Sequence, residues 1–131
     1  MQPRAYVAYY PGCTESYKKW NYEVHSPLLI MIGELDDWTP AASCVNLRNR
    51  LKSDKANAPV ELLVYPGSYH GFDGTGPVIV RDGVANTKSG KATVGGNPEA
   101  RRASHEQLFE FLSTQLKQPL LLTHAQRFQD R

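Results

Sequence analysis

Along the chain, short β-rich runs alternate with stretches of helical spacing, and the runs differ in kind. Ala5-Tyr-Val-Ala-Tyr-Tyr10 is rich in β-formers and stops at the turn pair Pro11-Gly12, which predicts a first strand over 5–10. Leu28-Leu-Ile-Met-Ile32 is apolar at every position instead of alternating, the pattern of a strand covered by helices on both faces. Val60-Glu-Leu-Leu-Val-Tyr65, ended by Pro66-Gly67, predicts a third strand over 60–65. Between the second and third strands, Thr39 is placed as an N-cap and Pro40 at the first helical position. Val45, Leu47, Arg48 and Leu51 then carry a partly apolar face, so a helix is predicted over about 40–53. A second helix is predicted over 98–117: Asn97 caps it, Pro98 opens it, and Ala103, Leu108, Phe109, Leu112 and Leu116 form its apolar stripe. Pro119 ends that helix and leaves a tail over 118–131. Thr14 to Ser26 is polar, aromatic and irregular and reads as a loop. Gly67 to Gly96 holds eight of the ten glycines with little period, and loops of that length are usually functional.

The order strand, loop, strand, helix, strand, long loop, helix predicts a parallel α/β arrangement with right-handed crossovers. Three parallel strands with two main helices give the central strand little cover, so one sheet edge is expected to meet further strands that these 131 residues do not contain. Residues 1–131 are therefore read as one partial domain.

Composition narrows the function classes. Hydrophobic residues make up 40% and charged residues 21%, which excludes disorder over most of the length. Lysine and arginine (15) nearly balance aspartate and glutamate (13), and their scatter leaves no basic face, so nucleic acid is not an expected partner. The longest apolar runs, Pro27 to Ile32 and Pro119 to Leu122, fall far short of the roughly 20 residues of a membrane span, and no membrane partner is expected. Met1 to Ala8 lacks the charged start and apolar stretch of a signal peptide. The compartment stays open: cytoplasmic by default, periplasmic or secreted if a signal lies upstream. The two cysteines form no C-x-x-C pair and His25, His70, His105 and His124 share no ligand spacing, so no metal site is predicted.

In open parallel sheets, ligands bind outside the carboxyl ends of the strands. The second strand runs into Gly33-Glu-Leu-Asp36-Asp37-Trp38-Thr39-Pro40, and the third into Tyr65-Pro-Gly-Ser-Tyr-His70-Gly-Phe-Asp73. An acid after one strand and a histidine after the next meet at one edge of the sheet. A carboxylate there accepts the imidazole Nδ1–H, sets the tautomer and stabilises the imidazolium formed on proton transfer. Gly67 and Gly71 on either side of His70 let the loop present the ring closely. The alternative for each residue alone is a helix-capping Asp36 and a surface-loop His70. Their joint placement favours the catalytic pair.

These two segments, together with A-Y-V-A-Y-Y-P-G-C, resemble the carboxyl-terminal half of dienelactone hydrolases over Ala5 to about Leu116. The resemblance implies an α/β-hydrolase fold with the triad order nucleophile, acid, histidine. It implies Asp36 as the acid, by the D-x-x-x-P pattern ending at Pro40, and His70 as the base. It assigns Trp38, with Tyr10 and Phe72 nearby, to the substrate pocket. No cofactor or metal is implied. The expected activity is hydrolysis of an ester or lactone, as in a carboxylesterase.

Two departures shape that expectation. The nucleophile elbow G-x-[SC]-x-G and the strands that would carry the oxyanion hole are absent, so the nucleophile is expected upstream and this chain alone is expected to be inactive. The arginine that the dienelactone-opening enzyme places four residues after its histidine is Gly74 here, which argues against dienelactone itself. Cys13 keeps three readings: a substitute nucleophile in the order Cys13, Asp36, His70, a disulfide partner of Cys44, or a buried thiol. His25, His105 and His124 are read as structural or solvated. Lys88-Ser-Gly-Lys91 is not a phosphate-binding loop, because Ala92 stands where Ser or Thr is needed, and Arg101-Arg102 reads as a solvated face. The competing class is a non-catalytic interaction module or decayed hydrolase that self-associates through its sheet edge. A homodimer, or pairing with the missing half, fits either class.

Overall fold

The computed structural model describes residues 1–18 and 21–117; the tail, with Pro119 and His124, lies outside the described residues. Strands β1 (Tyr6–Tyr9), β2 (Leu28–Gly33) and β3 (Val60–Tyr65) form a parallel sheet in that order. Its register runs through Ala8↔Ile30 and Ile30↔Leu62. Helices α1 (Cys13–Lys18) and α2 (Ala41–Ser53) follow β1 and β2, and α3 (Pro98–Leu116) closes the described chain. The fold is α/β, with three helices where the sequence predicts two main ones.

β2 explains its own composition. Leu28, Ile30 and Ile32 face one core with Cys44, Leu47 and Leu51 of α2, while Leu29 and Met31 face a second with Ala100 and Phe111 of α3. A strand sandwiched between helices needs apolar side chains at odd and even positions alike, because neither face meets water. Truncating one such side chain, as in Met31→Ala, typically costs about 2–5 kcal/mol. On α3 the buried positions are Ala100, Ser104 and Phe111, flanked by Ala103, Leu108 and Leu112. The stripe thus passes through Phe111 and not Phe109, since Ala100, Ser104, Leu108 and Phe111, spaced by four, four and three, stay on one face at 3.6 residues per turn.

Two segments depart from the sequence reading. Within Thr14–Ser26, residues up to Lys18 are helical: α1 is anchored by a disulfide from Cys13 to Cys44 and by a 2.8 Å hydrogen bond from Thr14 Oγ1 to Ser43 Oγ. Six residues are too few to be stable on propensity, so these ties to α2 hold it. The Gly67–Gly96 stretch contains an antiparallel hairpin, β4 (Ile79–Asp82) paired with β5 (Lys91–Val94). β4 is exposed throughout, so burial gives its residues no alternating pattern to read. The hairpin is joined to the histidine loop by a bridge between His70 and Val94 and by Gly95 N–H donating to His70 O at 3.0 Å.

The start of α2 also differs. Pro40 is the N-cap and no side chain caps the helix. The Thr39 hydroxyl is engaged elsewhere.

Candidate active site

Gly33 ends β2, and its missing side chain decides where the histidine loop runs. A Cβ there would lie 2.3 Å from Ser68 O, so only glycine lets residues 68–70 cross directly over the end of the strand. Glu34 N–H then bonds Tyr65 O at 2.9 Å and Leu35 N–H bonds Ser68 O at 2.9 Å, tying the acid loop to the histidine loop. Gly71, at φ +78°, takes the left-handed turn that follows His70.

Asp36 and His70 meet across these loops. Asp36 Oδ2 lies 2.9 Å from His70 Nδ1, with the carboxylate side chain fully buried and the imidazole 19% exposed. Oδ1 of the same carboxylate accepts the backbone N–H groups of Trp38 at 2.9 Å and Thr39 at 2.8 Å. Thr39 Oγ1 stands 3.1 Å from Oδ2, 3.0 Å from Tyr10 O and 3.1 Å from His70 Nδ1. A carboxylate accepts and cannot donate, so the shorter Nδ1 contact requires the ring proton on Nδ1. The neutral ring then carries its lone pair on Nε2, the atom left to act as a base. Among the described residues, no hydroxyl or thiol is hydrogen-bonded to that nitrogen.

Two aromatic rings contact the imidazole: Tyr10 at 4.4 Å and Trp38 at 4.9 Å between centroids. Their π faces favour a positive charge on the ring. Tyr10 is the residue past β1 and holds φ at +40°, an unusual conformation for a side chain of this size, and strain of that kind concentrates at functional sites. Its hydroxyl donates to Asp73 Oδ1 at 3.0 Å. Burial, and then the neighbouring Asp73 carboxylate, push the Tyr10 phenol up to about 12. Burial does the same to Tyr65. Asp73 is fixed in turn by Arg101 Nε, which donates to its carbonyl at 3.1 Å.

Of the residues singled out from sequence, Asp36, His70, Trp38 and Tyr10 come together. Phe72 does not line a pocket. It is fully buried beneath the site against Tyr9, Tyr10 and Tyr65, because the residue after Gly71 turns inward into the second core. Cys13 is not a substitute nucleophile. Its sulfur is bonded to Cys44 and buried, so it offers no thiolate. His25 lies at the opposite end of β2, exposed and 3.8 Å from Glu23. His105 sits on α3, half-buried. Arg102 pairs with Glu106 on the exposed face of α3, whereas Arg101, read with it as solvated, supports the histidine loop. Thr39, Asp73 and Arg101 were missed as site residues. Only Thr39 carried a local sign, standing three residues after Asp36 where a side-chain carboxylate meets backbone N–H groups.

A cleft of about 900 Å³ is lined by Trp38 and Thr39 with their neighbours, by Gly12, Thr14 and Glu15 at the start of α1, and by the hairpin tip at 86–89. Among the described residues no three His, Cys, Asp or Glu side chains converge as metal ligands, and no helix is long and apolar enough to cross a membrane.

A parallel sheet with an acid after one strand and a hydrogen-bonded histidine after the next is the carboxyl-edge arrangement of α/β-hydrolases. The chain belongs to the dienelactone hydrolase family, whose model matches residues 2–116. Membership implies a hydrolase with the α/β-hydrolase fold. No curated protein and no solved structure matches the chain significantly.

Proposed function

We propose that this chain supplies the acid and the base of a triad that hydrolyses carboxylic esters or lactones, with a Ser or Cys nucleophile contributed by upstream sequence. His70 Nε2 takes the proton of that nucleophile as it attacks the carbonyl carbon. The tetrahedral intermediate collapses, the C–O bond to the leaving alcohol breaks, and the imidazolium returns its proton to that oxygen. Water then attacks the acyl-enzyme, giving its proton to His70, and the nucleophile leaves with that proton restored. Asp36 holds the Nδ1–H tautomer and stabilises the imidazolium at each transfer, while Tyr10 and Trp38 face the same charge.

The observation that supports this reading is the 2.9 Å contact from His70 Nδ1 to a fully buried Asp36 carboxylate whose other oxygen is held by two backbone N–H groups. In a form that includes the upstream sequence with its G-x-[SC]-x-G elbow, His70→Ala is expected to abolish hydrolysis of p-nitrophenyl acetate, and the 131-residue chain alone is expected to show no more than the free-imidazole background. Hydrolysis unchanged by His70→Ala defeats the proposal.

A second reading has one observation behind it. β1 has no partner on its outer side among the described residues, Tyr6 is 39% exposed, and a groove of about 390 Å³ runs along it beside Tyr22, Val24 and His25. A free edge of this kind accepts another strand, either from upstream sequence or from a second copy in a non-catalytic dimer. Sedimentation of the purified chain separates the two: a dimer that dissociates on a Val7→Pro substitution supports the interaction module.

A further inference from the structure

Among the described residues, the Asp37 side chain ties the hairpin β4–β5 to the acid loop. Asp37 Oδ1 accepts Thr93 N–H at 2.8 Å and Oδ2 accepts the Thr93 hydroxyl at 3.0 Å, spanning 56 residues of sequence. Asp37 adjoins Asp36 but takes no part in the Asp36–His70 pair, so the tertiary contact gives this second acid a separate task. The hairpin root is held to the histidine loop through His70 and Val94, and Asp37 grips β5 one residue nearer the tip. The tip at 86–89 lines the same cleft as Asp37, Trp38 and Thr39.

The lining is mostly polar around one large aromatic residue: Trp38, with Asp37, Thr39 and Pro40 beside it, Thr14 and Glu15 from the start of α1, and Asn86, Lys88 and Ser89 from the hairpin tip. Thr87 Oγ1 is shielded from solvent and has no hydrogen-bond partner among the described residues, so a ligand oxygen that reached it would satisfy a group otherwise left unpaired. One aromatic residue among amide, hydroxyl and charged groups suits a molecule with apolar C–H faces and several hydroxyls. The cleft, at about 900 Å³, is also far larger than an acetyl group needs.

We infer that the hairpin is the specificity wall of this site, that Asp37 is its positioning residue, and that the ester it selects carries a polyhydroxylated body lying between Trp38 and residues 86–89. The inference rests on the ester-hydrolase reading for the word ester, but its test does not depend on turnover.

Hydrogen exchange and amide NMR on the 131-residue chain provide that test. Asp37→Ala is expected to raise exchange at Thr93 and along 84–94 at least tenfold while β2 amides stay protected. Asp37→Asn keeps an oxygen for Thr93 N–H and an NH₂ for its hydroxyl, and is expected to restore most of the protection. Thr93→Val, which loses the side-chain bond alone, is expected to fall between. With 6-O-acetylglucose and ethyl acetate as probes, only the sugar ester is expected to shift the 86–89 amides together with the Trp38 indole N–H. Its apparent affinity is expected to drop at least fivefold in Asp37→Ala and to return in Asp37→Asn. Unchanged exchange at 84–94 in Asp37→Ala overturns the positioning role. Equal effects of both esters, or no shift at 86–89 with the sugar ester, overturn the substrate class. None of these readouts involves turnover, whereas the triad proposal is read from hydrolysis by His70→Ala in the active form, so failure of the one and failure of the other are told apart.

Discussion

Gly33→Ala is the sharpest perturbation of the architecture proposed for the site, because the three atoms nearest the added Cβ belong to Ser68 and Tyr69 and not to Asp36 or His70. The new Cβ would sit 2.3 Å from Ser68 O, 2.7 Å from Ser68 C and 3.1 Å from Tyr69 O, all backbone atoms that cannot rotate away. Relief to the 3.0–3.4 Å of a tight Cβ contact requires the histidine loop to rise by about 0.7–1.1 Å. Carried two residues on to His70, that shift stretches the 2.9 Å Nδ1–Oδ2 contact to about 3.6–4.0 Å, beyond hydrogen-bond reach. Overpacking of this kind costs about 1–3 kcal/mol, or a fall of about 4–15 °C in melting temperature for a chain of this size. A misplacement of about 1 Å in a catalytic group is worth about a hundredfold in rate. Thermal unfolding and the His70 Nδ1–H proton resonance are the assays on this chain; ester hydrolysis joins them in a form that turns over. Gly76→Ala is the control, since a Cβ there meets nothing within 4 Å. A Gly33→Ala chain with the melting temperature and the imidazole resonance of the parent refutes the claim that this glycine sets the path of the loop.

Asp36→Asn leaves the packing intact but lets the amide NH₂ compete for Nδ1, so the His70 Nδ1–H resonance should vanish and hydrolysis in the active form should fall about 10³–10⁴-fold; retention of both would remove the basis for assigning Asp36 as the acid. Replacing Cys13 and Cys44 by serine opens a loop of sequence separation 31, for which chain entropy predicts a loss of about 3–4 kcal/mol, read as a lower urea midpoint that reductant does not lower further. With its phenol raised from 10.0 to about 12, Tyr10 holds its proton more tightly in the folded chain than in the unfolded one, so its contribution is full below pH 10 and is lost as pH rises through about 12. Tyr10→Phe should therefore flatten the alkaline loss of stability, and a tyrosinate absorbance titration that shows every tyrosine ionising near pH 10 would contradict it.

The Asp36–His70 juxtaposition was legible because topology alone brings the carboxyl ends of neighbouring parallel strands together, whatever the loops do in detail. The loops' own contacts were not legible. Thr39 looks like a helix cap in sequence, yet its hydroxyl joins Tyr10 O, Asp36 and His70, and Pro40 takes the cap position. Arg101 looks like half of a solvated pair until α3 is docked, when its Nε reaches Asp73 O.

By itself the sequence determined the layers. β2 read as a strand with helices on both sides, since five successive apolar residues between turn signals suit cover on both faces, and Asn97, Pro98 and the apolar spacing after them predicted the helix that the structure packs there. Burial leaves a periodic imprint on residue type, and that imprint is what a sequence displays. Tertiary structure alone decided whatever rests on contacts between distant, exposed or irregular segments. It formed α1 through Cys44, turned Phe72 into the core and raised an exposed hairpin within a glycine-rich stretch. It also gave Asp37 a partner 56 residues away. Hydrogen bonds of that kind follow from where two loops happen to meet in space, and spacing along the chain carries no trace of them.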